Sequence, residues 1–170
     1  MPAEQPKGET GSKAPKLPSK GKVLLNLLSE VLSGHKVELG ALFDYPEITI
    51  GPQTIVEVCR SLKEDVRTRF NMLTCIAAVD YKEYIQMVYI LFSLDHRQSL
   101  VLKVNLTEEE PMVSSVSSIW RGAEWYEREA HDLFGVYFGG HPDLSPLLLY
   151  EGFEGYPGRK EFPFHEYQEY

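Results

Sequence analysis

Leu24, Leu25, Leu28, Val31 and Leu32 recur at three- and four-residue spacing. That spacing predicts an amphipathic helix over residues 22–33, closed by Gly34. "EITI" (47–50) reads as a short strand. In "GPQTIVEVCRSLKED" a proline stands near a helix start, and Ile55, Val58, Cys59 and Leu62 mark one face of a second helix. "RFNMLTCIAAVDY" and "YIQMVYILFSL" are apolar on both alternating faces and predict central strands, whereas "SLVLKVNL" alternates and predicts a strand with one wetter face. "DYKE" and "DHRQ" between them are hairpin-like, so the three runs predict an antiparallel meander. "EEEPMVSSVSSIW" reads as a loop entering a short helical turn, followed by a third helix from Gly122 to about Phe134, ended by Gly135. The pattern predicts an α+β fold: one small domain over 22–134, with a mostly antiparallel sheet packed by helices. A flexible tail (1–21) precedes it. A long irregular arm (135–170), rich in glycine, proline and aromatic residues, follows it.

At 170 residues the chain suffices for one domain with a real core. The net charge of −8 is uneven. Residues 1–36 hold six lysines against three glutamates, so the rest of the chain is strongly acidic. An acidic body speaks against nucleic acid and against anionic lipid as ligands. Cys59 and Cys75 have no C-x-x-C partner and read as buried thiols in a reducing compartment. No run approaches the roughly 20 apolar residues of a membrane span. "VLLNLLSEVL", interrupted by Asn26, Ser29 and Glu30, is a helix and not a signal peptide.

The candidate chemistry is concentrated in "WYEREAHDLFGVYFGGHPDL" (125–144). On a helical wheel Tyr126, Ala130, Leu133 and Phe134 share the core-facing arc, with Glu124, Glu127, Arg128, His131 and Asp132 largely opposite. Glu124–Arg128 and Arg128–Asp132 are i,i+4 pairs of opposite sign. Glu129 lies beside the apolar arc, where a carboxylate needs a partner; the wheel predicts a buried pair with Arg128 or a partner's arginine. Three readings stand open: a solvated helix face, a protein-docking face, or acid–base or metal chemistry through Glu127, Glu129, His131 and His141. The last lacks a nucleophile, a phosphate loop and the H-E-x-x-H spacing. Docking gains weight from "GFEGYPGRKEFPFHEYQEY" (152–170), whose rings need a surface to cover them.

"EREAHDLFGVYFGGHPDL" followed by "GFEGYPGRKEFP" resembles the C-terminal signature of the 30-kDa subunit of proton-pumping NADH:quinone oxidoreductase (respiratory complex I) and its relatives in membrane-bound hydrogenases and ferredoxin-linked complexes. The resemblance makes Glu127, Arg128, Glu129, Asp132, His141, Pro142, Arg159 and Lys160 signature positions. It implies a subunit without flavin, cluster or metal. Iron–sulfur clusters, with flavin or nickel–iron, belong to partner subunits. It also implies a peripheral place at the cytoplasmic face of the membrane, with the C-terminal region embracing the 49-kDa-type large subunit beside the iron–sulfur subunits. With the exposed aromatics, the expected docking set is Trp125, Glu127, Arg128, Glu129, Asp132, His141, Pro142, Phe153, Tyr156, Arg159, Lys160, Phe162 and Phe164. Ser145 and Pro146 stand where the family usually has two arginines, and Gly158 where it has leucine. These departures leave a hydrogenase- or ferredoxin-linked complex as the alternative assembly.

Overall fold

A computed structural model describes residues 17–163. The elements run α1 (Ser19–Val31), β1 (Val37–Leu42), β2 (Tyr45–Ile50), a 3₁₀ turn (Pro52–Thr54), α2 (Ile55–Glu64), β3 (Met72–Asp80), β4 (Tyr84–Ser93), β5 (Gln98–Thr107), β6 (Met112–Ser114), α3 (Ala123–Phe134) and β7 (Tyr137–Gly139). The first five strands form one sheet in the order β1-β2-β5-β4-β3, antiparallel except where β2 runs parallel to β5. The α+β class and the meander follow the sequence pattern.

The core lies on one face of that sheet. Cross-strand pairs Ile85–Leu106, Met87–Val104, Tyr89–Leu102 and Leu91–Leu100 are all buried there, beside Ile48 and Ile50 of β2. Leu24, Leu28 and Leu32 from the first helix and Ile55, Val58, Cys59 and Leu62 from the second complete the cluster. Burial of this kind stabilises by roughly 25 cal/mol per Å² of apolar surface, whereas β1, with no fully buried residue, is held by its antiparallel ladder with β2.

Two details differ from the pattern, the place of β3 and the start of the arm. Strand β3, expected to be central, is an edge, and its residues Met72, Thr74, Ala77 and Val79 are exposed. Strand β5 is central and has the wetter face its alternation predicts, with Lys103 half-buried and Asn105 and Thr107 exposed, alternating with buried Leu102, Val104 and Leu106. Its polar side chains are paired across the sheet: Lys103 with Glu47 at 2.7 Å, and Asn105 with Gln86 at 2.7 Å. The segment after Gly135, expected to be irregular, first forms β7, which pairs in parallel with β6. Most of the tail lies outside the described residues, but Ser19–Gly21 already belong to α1.

Helix α3 ends as its glycine predicts. Gly135 has φ +72° and donates its N–H to His131 O at 2.9 Å. A Cβ built there would lie 2.6 Å from the Tyr156 ring. Gly135→Ala should therefore lower stability by roughly 1–2 kcal/mol for the left-handed backbone alone, and by more as Tyr156 is displaced. Urea denaturation monitored by tyrosine fluorescence measures both effects.

Candidate functional site

Helix α3 carries two buried carboxylates on different sides, and neither is the one the wheel selected. Ala123, Glu127 and Ala130 form a buried i, i+4, i+7 stripe, and Glu127 is 0% exposed. Its two alanine neighbours leave room for the carboxylate against the turn after β6. There Ser115 Oγ donates to Oε2 at 2.5 Å and Val116 N–H to Oε1 at 2.7 Å. Ser117 supports the site, with its N–H 3.1 Å and its Oγ 2.7 Å from Ser115 Oγ. His141 Nε2 lies 3.9 Å from Glu127 Oε2 and donates to Glu124 O at 3.1 Å, while Asp143 N–H donates to Nδ1 at 3.1 Å. Burial pushes the Glu127 carboxyl up to about 7, against the Ser115 and Val116 hydrogen bonds that favour its anion, with Glu124 adding to the rise.

Glu129, expected to be buried and paired, is exposed, and no ion pair forms on it among the described residues. The wheel failed because hydropathy cannot show that α3 is contacted on two sides. The expected Glu124–Arg128 and Arg128–Asp132 pairs do not form either. Arg128 turns to the arm: Nε donates to Ser145 O at 3.0 Å, and Nη2 to Ser145 Oγ at 3.1 Å and Pro146 O at 2.9 Å. Its guanidinium also lies 5.3 Å from the ring centroid of Trp125, which is 61% exposed. Asp132, 8% exposed, accepts at Oδ2 the N–H groups of Leu147, Leu148 and Leu149 at 3.2, 2.7 and 2.8 Å. Burial raises its carboxyl, but the three donors outweigh burial and hold it below the usual carboxylate range.

The rest of the arm caps the end of the helix. Gly158 N–H donates to Leu133 O at 2.9 Å and Arg159 Nε to Phe134 O at 2.8 Å, satisfying carbonyls that a helix C-terminus leaves open. A Cβ at Gly158 would lie 2.8 Å from the Phe134 ring and 2.9 Å from Leu133 O, so glycine is what permits this approach. Arg159 stacks over Tyr156 at 5.0 Å, and Lys160 Nζ lies 5.9 Å from the Tyr81 ring. Lys160 N–H donates to Asp80 Oδ2 at 2.7 Å, while Lys82 N–H donates to Oδ1 at 2.6 Å. The Lys160 hydrogen bond, helped by Lys82 and the nearby cations, outweighs burial and holds Asp80 below the usual range.

The structure thus gathers Glu127, Arg128, Asp132, His141, Tyr156, Arg159 and Lys160 around α3. Phe153 and Phe162 stack on each other at 5.9 Å between centroids. Pro142 is exposed, and Phe164 lies outside the described residues. Asp80 and Ser115 were not singled out from the sequence. Asp80 sits in a stretch read as a hairpin connection, and its partner is 80 residues away, so no local signal marks it. As for metal chemistry, the proposed ligands are engaged elsewhere: Glu127 as above, His131 Nδ1 with Val136 O at 2.9 Å, and both His141 nitrogens with backbone. Among the described residues no three His, Cys, Asp or Glu side chains are grouped to hold an ion.

Two outcomes follow from the opposite environments of the carboxylates. Because the folded-state pKa of Glu127 is raised from the ordinary 4.5 to about 7, its contribution is fully present below the lower value and is lost as pH rises through the upper one. The melting temperature of the wild type, measured relative to Glu127→Gln, should therefore fall between about pH 5 and about pH 8. Asp132→Ala strands three backbone donors and should cost at least about 1–3 kcal/mol, with faster tryptic cleavage after Arg159 and Lys160. Glu129→Ala should stay within about 0.5 kcal/mol in the same melts.

Residues 48–168 match the family model described as the respiratory-chain NADH dehydrogenase 30 Kd subunit. The chain is 43% identical to the second form of the NADH-quinone oxidoreductase C subunit of Rhizobium etli (strain CIAT 652), covering 78% of this chain and 72% of that one. It is 40% identical to the NADH-quinone oxidoreductase C subunit of Roseiflexus sp. (strain RS-1), over 68% of each. Among solved structures, it resembles a chain of the membrane-bound sulfane sulfur reductase, an archaeal respiratory membrane complex. That match has TM-score 0.73 and 28% identity, covering 85% of this chain and 86% of the other. It also resembles the trypsin-resistant fragment (1-134) of Nqo5, with TM-score 0.56 and 28% identity, over 71% of this chain and 98% of that one. None of these favours the hydrogenase alternative. By family model and by identity over most of its length, the chain belongs to the 30-kDa subunit family of respiratory-chain NADH dehydrogenase, that of the NADH-quinone oxidoreductase C subunit.

Proposed function

We propose that this chain is a cofactor-free positioning subunit of its complex I-type assembly, and that α3 with the arm is its docking face. The partner is the 49-kDa-type large subunit, with the iron–sulfur subunits beside it. Electron transfer runs through clusters and flavin in those partners, at the cytoplasmic face of the membrane, and this chain contributes no reacting group.

The observation that carries this reading is a rigidly held arm with exposed rings. The backbone from Leu147 to Lys160 is clamped to Asp132, Leu133, Phe134 and Asp80, yet the rings of Tyr150 and, beyond it, Tyr156 are 72% and 41% exposed. Ordering a segment costs about 1–2 kcal/mol per residue. Pre-ordering it on the body reduces what association must supply, which is how a docking surface gains affinity. A peripheral location is supported by the described helices, none of which is long and apolar enough to cross a membrane. That a trypsin-resistant fragment of Nqo5 aligns with most of this chain supports a body that is stable by itself.

A chain truncated after Tyr150 should retain a cooperative melt and fail to co-purify with the large subunit. Normal assembly after truncation would overturn the docking role, and loss of folding would make the arm part of the body's own core. Stoichiometric iron or zinc in untagged protein would overturn the cofactor-free reading.

A further inference from the structure

The clamped turn and the arm form a half-open cavity that docking through exposed rings leaves unexplained. It measures about 140 Å³, and His131, Asp132, Leu149, Tyr150, Phe153 and Tyr156 contribute to its lining. Pockets for drug-sized molecules run to roughly 300–1,000 Å³, so this one suits a single side chain. The lining contains an anion. Asp132 accepts its three N–H groups at Oδ2, while Oδ1 accepts no hydrogen bond among the described residues. Those donors keep the group ionised at neutral pH. The walls are largely aromatic. Tyr150 and Phe153 meet edge to face at 5.4 Å, and Tyr156 already holds a guanidinium, that of Arg159, over its ring. Such faces attract cations.

Within the described chain the one charge that favours the Asp132 carboxylate from close by is His131 of its own helix. No lysine or arginine lines it, and Arg128 and Arg159 are engaged with the carbonyls of Ser145, Pro146 and Phe134. His131 donates through Nδ1 to Val136 O. Glu151 and Glu154, next in sequence to the aromatic walls, are exposed and enter no ion pair among the described residues.

We propose that this cavity seats the guanidinium of an arginine on the protein surface that the arm docks against, between the aromatic walls and the free oxygen of Asp132. The inference rests on the docking reading. Arginine is preferred to lysine because a planar, weakly hydrated group stacks on rings and enters a small aromatic space at lower desolvation cost. The partner's charge at this point must then be positive, complementing the acidic body.

The test titrates the isotopically labelled full chain with methylguanidinium, methylammonium and tetramethylammonium at matched ionic strength, following backbone amide shifts. Methylguanidinium should produce saturable shifts at Leu149, Tyr150 and Phe153 and bind more tightly than the other two ions. Binding should weaken by about fivefold or more in Tyr150→Leu/Phe153→Leu, and measurably in Tyr150→Leu alone, whose ring is too exposed to matter for folding. Absence of saturable shifts, equal binding of the three ions, or preference for tetramethylammonium would overturn the arginine pocket. If truncation after Tyr150 blocks co-purification while methylguanidinium fails to bind, docking stands and this inference falls. If methylguanidinium binds but truncation leaves assembly intact, the docking reading falls and takes the partner arginine with it.

Discussion

Irregular chain satisfies only part of its own backbone, here through turns such as Phe153 N–H to Tyr150 O, and this constraint shapes what surrounds α3. Between Gly140 and Lys160 no ladder or helix pairs the N–H groups, yet the segment lies against the body. Buried donors must find acceptors. Asp132 takes three of them and Asp80 one, while the last carbonyls of α3 receive Gly158 and Arg159 in return. The arm and the helix each complete what the other leaves open. Glu127 does the same on the body side for the turn at Ser115 and Val116.

The two helix carboxylates show how environment, rather than residue type, sets their chemistry. At Glu127 burial dominates two hydrogen bonds, and the anion is disfavoured. At Asp132, in reach of the surface, three backbone donors dominate burial, and the anion is favoured. Stability supplied by Glu127 therefore fades as pH rises, whereas that supplied by Asp132 and Asp80 fades as pH falls.

The departures from the family pattern gain a physical account. Ser145 and Pro146, which stand where the family usually has arginines, present the oxygens that hold Arg128. Gly158 stands where leucine is usual and allows the backbone to reach Leu133. Both changes alter how the arm is held while leaving its rings exposed.

The sequence by itself determined the fold class, the meander, the helix ended by Gly135 and the family, because each depends on local signals: periodicity, a left-handed glycine, or a contiguous motif. For the last third of the chain it predicted an irregular docking arm, and only the structure shows that the backbone of this arm is held on α3 and on Asp80. What only the tertiary structure decided was which carboxylate is buried. A wheel assumes one wet face, but α3 is contacted by the turn after β6 on one side and by the arm on another, so Glu127 and Asp132 are enclosed and Glu129 is not. The same holds for Asp80 and for the edge position of β3. Their environments depend on partners dozens of residues away, and no short-range pattern encodes such contacts.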